Sequence, residues 1–119
     1  MAQKLLFVES SLTTRVSFEY FFRAIGFDVT SASSAEEAND FVDRFKFDLA
    51  VVNFDCPAVN GNKLVWDLAR RGKYVPVIAT TRQEHTILPS ALITEVVYKP
   101  ASVFQILEAI DKSLTVMAN

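Results

Sequence analysis

Short continuous runs of apolar residues alternate along this chain with longer stretches of helical periodicity. Continuous apolar runs are typical of parallel strands that are buried on both faces, because neither face of such a strand meets water. A fifth run, Asp28 to Ala32, instead alternates polar and apolar residues, as expected for an edge strand. This order of elements predicts an α/β protein with a parallel sheet. The continuous runs are Lys4–Val8, Leu49–Val52, Val75–Ala79 and Val96–Tyr98.

Four helices are predicted from apolar periodicity and from residues that begin and end helices. Gly26 and Gly72 follow two of them, where a left-handed residue commonly ends a helix. The other two begin at capping boxes, in which each side chain accepts the other residue's backbone N–H. The boxes pair Ser34 with Glu37 and Ser102 with Gln105. The predicted helices are Leu12–Ile25, Ala35 to about Phe45, Gly61–Arg71 and Val103–Leu114.

The segment between the fourth and fifth strands departs from this pattern. Pro89 lies in the middle of the stretch from Thr81 to Glu95. A proline inside a helix removes a hydrogen bond and clashes with the preceding turn. At most a short or broken helix fits there, and we expect His85 to be an exposed residue at its start.

Five strands alternating with helices predict a right-handed, doubly wound sheet with helices on both faces. A polar edge strand in second place matches the known strand order 2-1-3-4-5. The chain has 119 residues, which predicts a single domain spanning residues 1–119. Ligands of such sheets bind beyond the carboxyl ends of the strands. The residues predicted at these ends are Glu9, Ser10, the segment 53–57, Thr80, Thr81, Lys99 and Pro100.

Composition excludes several function classes. Twelve basic and fourteen acidic residues give a net charge of −2, and no basic run is present that could follow a nucleic-acid backbone. The apolar runs are far shorter than the roughly 20 residues of a membrane span, and we expect a cytoplasmic protein that binds neither nucleic acid nor membrane. The single Cys56 has no metal-ligand neighbours at useful spacing, and we interpret it as a small, half-buried side chain.

The residues at the predicted strand ends resemble the signature of the response regulator receiver domain, a CheY-like fold. The resemblance runs from Lys4 to about Leu114 and includes "DLAVVNFDCPAVNG", "PVIATT" and "YKP". It implies an acidic pair that holds magnesium, an aspartate that accepts a phosphoryl group, and a Thr or Ser and a Lys that bind the phosphoryl oxygens. Carried over, Glu9, Thr81 and Lys99 match, and the Lys99–Pro100 bond is expected to be cis.

Four positions depart from the pattern that the resemblance implies: Asn53, Ser10, Val96, and Arg82, where the family prefers a small residue after the Thr. Asn53 stands where the phosphoacceptor aspartate is expected, and a neutral amide does not form an acyl phosphate. Ser10 replaces the second acid, which leaves Glu9 as the one carboxylate of the expected ligand set, so we expect weak or absent magnesium binding and no cofactor. Val96 has no ring at the aromatic switch position. Lys99 is expected to turn towards Glu9 or the Asn53 amide oxygen.

These departures predict a pseudo-receiver, a non-enzymatic interaction module of two-component signalling. Asp55, two residues past Asn53, is interpreted as a solvated loop acid. One alternative is a receiver that is still weakly phosphorylated at Asp55 or at another site. A second alternative is a flavodoxin-like small-molecule binder, although none of the three glycines forms a Gly-rich phosphate loop after a strand.

The first helix provides the candidate partner surface. Its Phe18, Phe21, Phe22 and Ile25 are predicted to face the sheet. The opposite side of the helix then carries an apolar stripe at positions i, i+4 and i+8, formed by Leu12, Val16 and Tyr20. This stripe, with Arg15 or Arg23 at its rim, is predicted to bind a kinase, a phosphotransfer protein, an output protein or a second copy; the alternative is that it leans on the last helix. On the third predicted helix, Trp66 is expected to be partly exposed.

Overall fold

A computed structural model describes residues 2–83 and 87–118 of the chain, without the side chains of residues 116–118. Within these described residues, strands and helices alternate up to β4, and the next described element is β5. The elements are β1 (Lys4–Val8), α1 (Leu12–Ala24), β2 (Asp28–Ala32), α2 (Ala35–Arg44), β3 (Leu49–Asn53), α3 (Gly61–Arg70), β4 (Val77–Thr81), β5 (Ile93–Tyr98) and α4 (Val103–Ala118).

The five strands form one parallel sheet in the order β2-β1-β3-β4-β5, which confirms the predicted topology. In the register of the sheet, Val8 lies beside Val52, and Asn53 lies beside Thr80. The carboxyl ends of β1, β3 and β4 therefore meet at one edge. The residues that follow these strands are brought together there, as a doubly wound sheet requires.

Each face of the sheet packs on its own pair of helices. Successive residues of a strand point to opposite faces, so Leu5 joins a cluster with Phe22 of α1 and Ile106 of α4, whereas Leu6 joins the cluster with Leu64 of α3. The interior strands β1, β3 and β4 are buried almost throughout. This two-sided burial is the physical reason for their continuous apolar sequences.

Two strands begin at other residues than predicted. The fourth strand begins at Val77, and the run was expected to begin at Val75. The Pro76 carbonyl oxygen accepts from the Ala50 N–H at 2.8 Å, but proline has no N–H to donate, so the first N–H that this strand donates is that of Val77, to the Leu92 carbonyl oxygen at 2.7 Å. The fifth strand begins at Ile93, three residues before the expected Val96. The prediction missed its first three residues because they are half-buried and do not form a continuous apolar run.

The predicted helix caps are largely present. Ser102 and Gln105 form the reciprocal capping box, with N···O distances of 2.8 and 3.2 Å. At the start of α2, Ser34 Oγ accepts from the Glu37 N–H, but the Glu37 carboxylate accepts from Ser33 instead of Ser34.

The first helix buries less of its apolar surface than the sequence predicted. Phe22 is fully buried and Phe18 is half-buried, but Phe21 and Ile25 are 49% and 53% exposed. Phe21 lies about 100° around the helix from Phe22, and its ring packs on the exposed ring of Tyr20. Ile25 is the C-cap residue, beyond the last turn that covers the sheet. The expectation that both residues pack in the core is therefore wrong.

In the connection between β4 and β5, the described residues 82–83 and 87–92 contain no helix. This agrees with the expectation of at most a short or broken helix around Pro89. Residues 84–86, among them His85, lie outside the described residues. Among the helices that the structure describes, none is long and apolar enough to cross a membrane.

Candidate functional site

An open groove of about 860 Å³ lies at the carboxyl edge of the sheet, where the sequence placed the site. Glu9 follows β1, Asn53 is the last residue of β3, and Lys99 follows β5. All three line the groove, together with Ser10 and Asp55. Because parallel strands end at the same edge, residues far apart in sequence become neighbours in this groove.

The carboxylate of Glu9 is buried and fully hydrogen-bonded. Its Oε1 accepts from Asn53 Nδ2 at 2.8 Å. Its Oε2 accepts from the Ser11 N–H at 2.9 Å and from the Cys56 thiol at 3.1 Å. The side chain of Arg15 holds the same loop by donating to the Glu9 carbonyl oxygen at 2.9 Å. Glu9 is only 4% exposed, and its carboxylate is tolerated in this buried position because several hydrogen-bond donors surround it.

Cys56 is a member of this site, which the sequence analysis missed. Its thiol lies between Asn53 Nδ2 at 3.0 Å and Glu9 Oε2 at 3.1 Å. The residue is buried rather than half-buried. The sequence did place Cys56 in the segment after β3, at the edge of the sheet where ligands bind. It did not show that the thiol points towards Glu9.

The amide of Asn53 uses both of its polar atoms inside the site. Its oxygen accepts from Lys99 Nζ at 2.6 Å and from the Asp55 N–H at 3.0 Å. Its nitrogen donates to Glu9 and Cys56. Lys99 has therefore turned to the amide oxygen, the second of the two arrangements expected from the sequence. An aspartate could not make the same contacts, because it has no donor for Glu9.

Asp55 is more than the solvated loop acid that the sequence analysis expected. Its carboxylate forms an ion pair with Lys99 at 3.1 Å and accepts from Thr81 Oγ1 at 2.9 Å. The backbone N–H of Arg82 also donates to it, at 3.0 Å. Burial raises the pKa of Asp55, but the Arg82 N–H, Lys99 and Thr81 outweigh burial and hold this pKa below its usual value. Asp55 thus supplies the negative charge beside Lys99.

The donor set of the groove does not fit a magnesium ion. Magnesium takes oxygen ligands in octahedral geometry, usually with one or two carboxylates among them. Here both oxygens of Glu9 are engaged by protein donors, and the Asn53 amide presents its nitrogen to Glu9. Ser10 brings no carboxylate. Within residues 2–83 and 87–118, no group of three or more His, Cys, Asp or Glu residues is placed to hold a metal ion.

Two further positions lie at the end of β5. The peptide bond between Lys99 and Pro100 is cis, at the position where the resemblance implies such a bond. Val96, at the expected switch position, is half-buried and pairs with Ala79 of β4. The nearest ring in this strand belongs to Tyr98, which is 46% exposed.

The apolar stripe of α1 is exposed to solvent. Leu12, Val16 and Tyr20 are 65%, 53% and 72% exposed, so more than half of each residue is open to solvent. The two arginines expected at its rim are occupied elsewhere. Arg15 holds the loop after β1, and Arg23 donates to Glu19 and to the carbonyl oxygen of Val29, both at 3.2 Å. On α3, Trp66 is 62% exposed and carries the guanidinium of Arg70 over its ring at 5.0 Å.

Solved structures share this fold over nearly the whole chain. The chemotaxis response regulator CheY4 of Vibrio cholerae is 20% identical with a TM-score of 0.85, covering 96% of this chain and 100% of that chain. A CheY-like receiver domain protein of Methanospirillum hungatei is 19% identical with a TM-score of 0.84, covering 98% and 96%. Response regulator TrrA of Thermotoga maritima, solved in complex with Mg²⁺-BeF, is 21% identical with a TM-score of 0.82, covering 94% and 99%.

Sequence comparison places the chain in a family. No curated protein sequence matches it significantly. The family model of the response regulator receiver domain matches residues 5–111, which include every strand except the first residue of β1 and all of the site described above. The chain belongs to the response regulator receiver domain family, the receiver modules of two-component signalling.

Proposed function

We propose that this receiver domain is not phosphorylated and acts by binding a protein partner or a second copy of itself. The observation that supports the proposal is Asn53 at the end of β3, with its amide oxygen 2.6 Å from Lys99 Nζ. A neutral amide at this position leaves the expected phosphoacceptor site without a carboxylate that can attack phosphorus. The domain then signals through its surface and not through a covalent intermediate.

The surroundings of Asn53 support the same conclusion. Phosphoryl transfer relies on a metal ion to neutralise the charge that develops on the transferred group. Glu9 has both carboxylate oxygens hydrogen-bonded to protein donors, and Ser10 replaces a second acid. The site therefore lacks two requirements of phosphoryl transfer, a nucleophilic carboxylate at position 53 and carboxylate oxygens free to bind a metal ion.

Intact-mass measurement tests this proposal. The protein is incubated with acetyl phosphate and magnesium, and a receiver that retains the aspartate is treated in parallel as a positive control. We expect the control to gain the mass of one phosphoryl group and this chain to gain none. A labelled fraction of the wild-type chain comparable to that of the control would contradict the proposal.

Weak phosphorylation at Asp55 is the second candidate function. The observation in its favour is that Asp55 contacts Thr81 and Lys99, the residues to which the resemblance assigns the phosphoryl oxygens. Against it, both Asp55 oxygens are already engaged, and the lowered pKa makes the carboxylate a weaker nucleophile. A phosphoryl mass that disappears in Asp55→Asn would establish this candidate.

The exposed stripe of Leu12, Val16 and Tyr20 is the proposed contact surface. An apolar stripe on the solvent side of a helix is a candidate for protein binding, because aromatic anchors contribute strongly at interfaces. Sedimentation of the purified protein tests self-association, and a pull-down from native lysate with and without Tyr20→Ala tests binding to another protein.

A further inference from the structure

The two helices that cover one face of the sheet, α2 and α3, carry opposite charges. The ten residues of α2 include four acids and one base, which gives this helix a net charge of −3. The stretch from Gly61 to Lys73, which contains α3 and the turn after it, includes four bases and one acid, a net charge of +3. This face is therefore divided into an acidic half and a basic half. The acids of α2 are Glu36, Glu37, Asp40 and Asp43, and the bases of the second stretch are Lys63, Arg70, Arg71 and Lys73.

A side chain that bridges the two helices holds them together as one platform. Arg71, directly after α3, donates to Asn39 Oδ1 of α2 at 2.6 Å and forms an ion pair with Asp43. Beneath this bridge, Leu68 of α3 and Val42 of α2 belong to the same core cluster. The acidic and basic halves therefore keep a fixed position relative to each other.

The solvent side of the platform combines an aromatic ring with incompletely neutralised charges. Trp66 is 62% exposed, and the guanidinium of Arg70 lies over its ring at 5.0 Å. Lys63 and Arg70 share the single carboxylate of Asp67, at 3.0 and 3.7 Å, which leaves one positive charge in excess. On α2, Glu36 is exposed and forms no ion pair within the part of the chain that the structure describes. Exposed Trp beside arginine is a composition typical of protein interfaces.

Charge determines how this platform can meet a copy of itself. Both helices connect parallel strands, so they run side by side in the same direction. A two-fold axis parallel to the helices lays α2 of one copy on α3 of the other. An axis at right angles to the helices lays α2 on α2 and α3 on α3. The first arrangement brings opposite charges together twice, whereas the second opposes like charges.

We propose that the platform of α2 and α3 binds a second copy of this chain, with α2 of each copy against α3 of the other and Trp66 as the aromatic anchor. The stripe on α1 lies over the other face of the sheet and stays free for a different protein. The inference rests on the proposed function, in which surface contacts carry the signal, and it assigns the second copy to this face.

Sedimentation velocity of the full chain tests the platform. We expect a monomer–dimer equilibrium that weakens at least tenfold as the salt rises from about 20 mM to about 0.5 M, because salt screens exposed charges. Trp66→Ala should also weaken self-association at least tenfold. Phe104→Ala removes a ring that is 77% exposed on α4, over the other face of the sheet, and should leave self-association unchanged. A wild-type chain that stays monomeric at low salt up to about 1 mM overturns the proposal.

A charge exchange tests the pairing of α2 with α3. Glu36→Lys with Asp40→Lys reverses the acidic half, and Lys63→Glu with Arg70→Glu reverses the basic half. Each double variant alone should self-associate at least tenfold more weakly than the wild type, because its two halves then carry the same sign. An equimolar mixture of the two double variants should associate to within about threefold of the wild type, since each helix again faces its opposite.

The control for net charge is Glu108→Lys with Asp111→Lys, which makes the same change in charge at exposed positions of α4 as the variant of the acidic half. This control should self-associate like the wild type. Melting temperatures establish that every variant is folded, and Glu36→Lys or Lys63→Glu alone replaces a double variant that is not. Undiminished self-association of either reversed variant, or a mixture of folded variants that does not associate, overturns the proposal.

These results are separable from the test of the proposed function. A chain that stays monomeric leaves the absence of phosphorylation and the α1 stripe untouched. An acyl phosphate on the wild-type chain appears as a covalent mass increase and refutes the proposed function whatever the state of association. Self-association that is lost in Tyr20→Ala but kept in Trp66→Ala would place the second copy on the α1 stripe and overturn the present inference.

Discussion

The amide oxygen of Asn53 lies 2.6 Å from the ammonium nitrogen of Lys99, in a pocket where the receiver signature has a carboxylate. The amide accepts this hydrogen bond but supplies no charge. The charge is supplied by Asp55, whose carboxylate lies 3.1 Å from the same nitrogen. One residue therefore provides the acceptor and another the counter-charge.

Removing Lys99 should destabilise the domain through both of these contacts. Hydrogen bonds to charged groups contribute about 1.5–3 kcal/mol, and the partial exposure of this pair reduces the value, so Lys99→Ala should cost roughly 1–2 kcal/mol. Urea denaturation measures the loss. The matched control is Lys112→Ala, whose pair with Glu108 is exposed and should change stability by less than about 0.5 kcal/mol. Equal losses would show that Lys99 has no special role.

Restoring the carboxylate with Asn53→Asp should destabilise the protein in a pH-dependent manner. The new carboxylate would face Glu9 in place of an amide nitrogen now 2.8 Å away, and like charges raise the pKa of such a pair. A raised folded-state pKa means that stability is retained below about pH 4 and lost as the pH rises through the raised pKa. At pH 7 we expect a loss on the order of 2 kcal/mol, measured by urea denaturation.

The control for this change is Asn62→Asp, which introduces the same group in the first turn of α3. A negative charge is favourable at a helix N-terminus, and a carboxylate can keep the hydrogen bond that Asn62 Oδ1 accepts from the Leu88 N–H at 2.8 Å, so a smaller loss than that of Asn53→Asp is expected there. Combining Asn53→Asp with Ser10→Asp should enlarge the metal-free loss and create magnesium binding. Metal-free stability equal to that of the wild type would mean that these positions do not converge.

Acid should weaken the contribution of Asp55. Its pKa is lowered in the folded protein, so its stabilisation is present above the unfolded value of about 3.9 and is lost as the pH falls through the folded pKa. The groups facing the carboxylate are Lys99, Thr81 and Arg82. In Asp55→Asn, urea midpoints between pH 6 and pH 2 should fall less steeply than in the wild type. Asp111→Asn should follow the wild-type profile, and an identical profile for Asp55→Asn would contradict the pKa direction.

Tyr20→Ala should reduce partner binding or self-association at least tenfold, about 1.4 kcal/mol, while leaving the melting temperature nearly unchanged. The reason is that Tyr20 is 72% exposed in the free domain and has little packing to lose. Tyr74→Ala removes an equally exposed ring, 76% accessible, outside the stripe and is the matched control. Titration calorimetry with the captured partner, or sedimentation for a dimer, measures the change. Unchanged binding with a strongly lowered melting temperature would place Tyr20 in the core.

Gly61 should not accept a side chain. A Cβ atom at this position would lie 2.6 Å from Cγ of the Phe54 ring, which covers the start of α3. Forcing the ring aside should make Gly61→Ala less stable by about 1–3 kcal/mol in urea denaturation. In the Phe54→Ala background the same change should cost much less, because the obstructing ring is absent. An equal cost in both backgrounds would show that the ring is not the cause.

Part of the candidate site could be predicted because strand ends are predictable. The positions of Glu9, Asn53, Thr81 and Lys99 follow from where apolar runs stop, and parallel strands stop at a common edge. The identity of Asn53 could also be read directly from the sequence, and an amide has different chemistry from a carboxylate in any fold.

The sequence by itself determined the strands of the sheet and most helix boundaries, because burial on one or two faces imposes periods that can be seen locally. The strand order was predicted by matching these elements to a known doubly wound pattern. Only the tertiary structure decided which loop side chains meet. The thiol of Cys56 reaches Glu9 across 47 residues, and Thr81 reaches Asp55 across 26. Ile25 likewise has a core-like position on the helical wheel but lies beyond the turn that covers the sheet. These outcomes depend on loop paths and side-chain directions, which leave no periodic signal in the sequence.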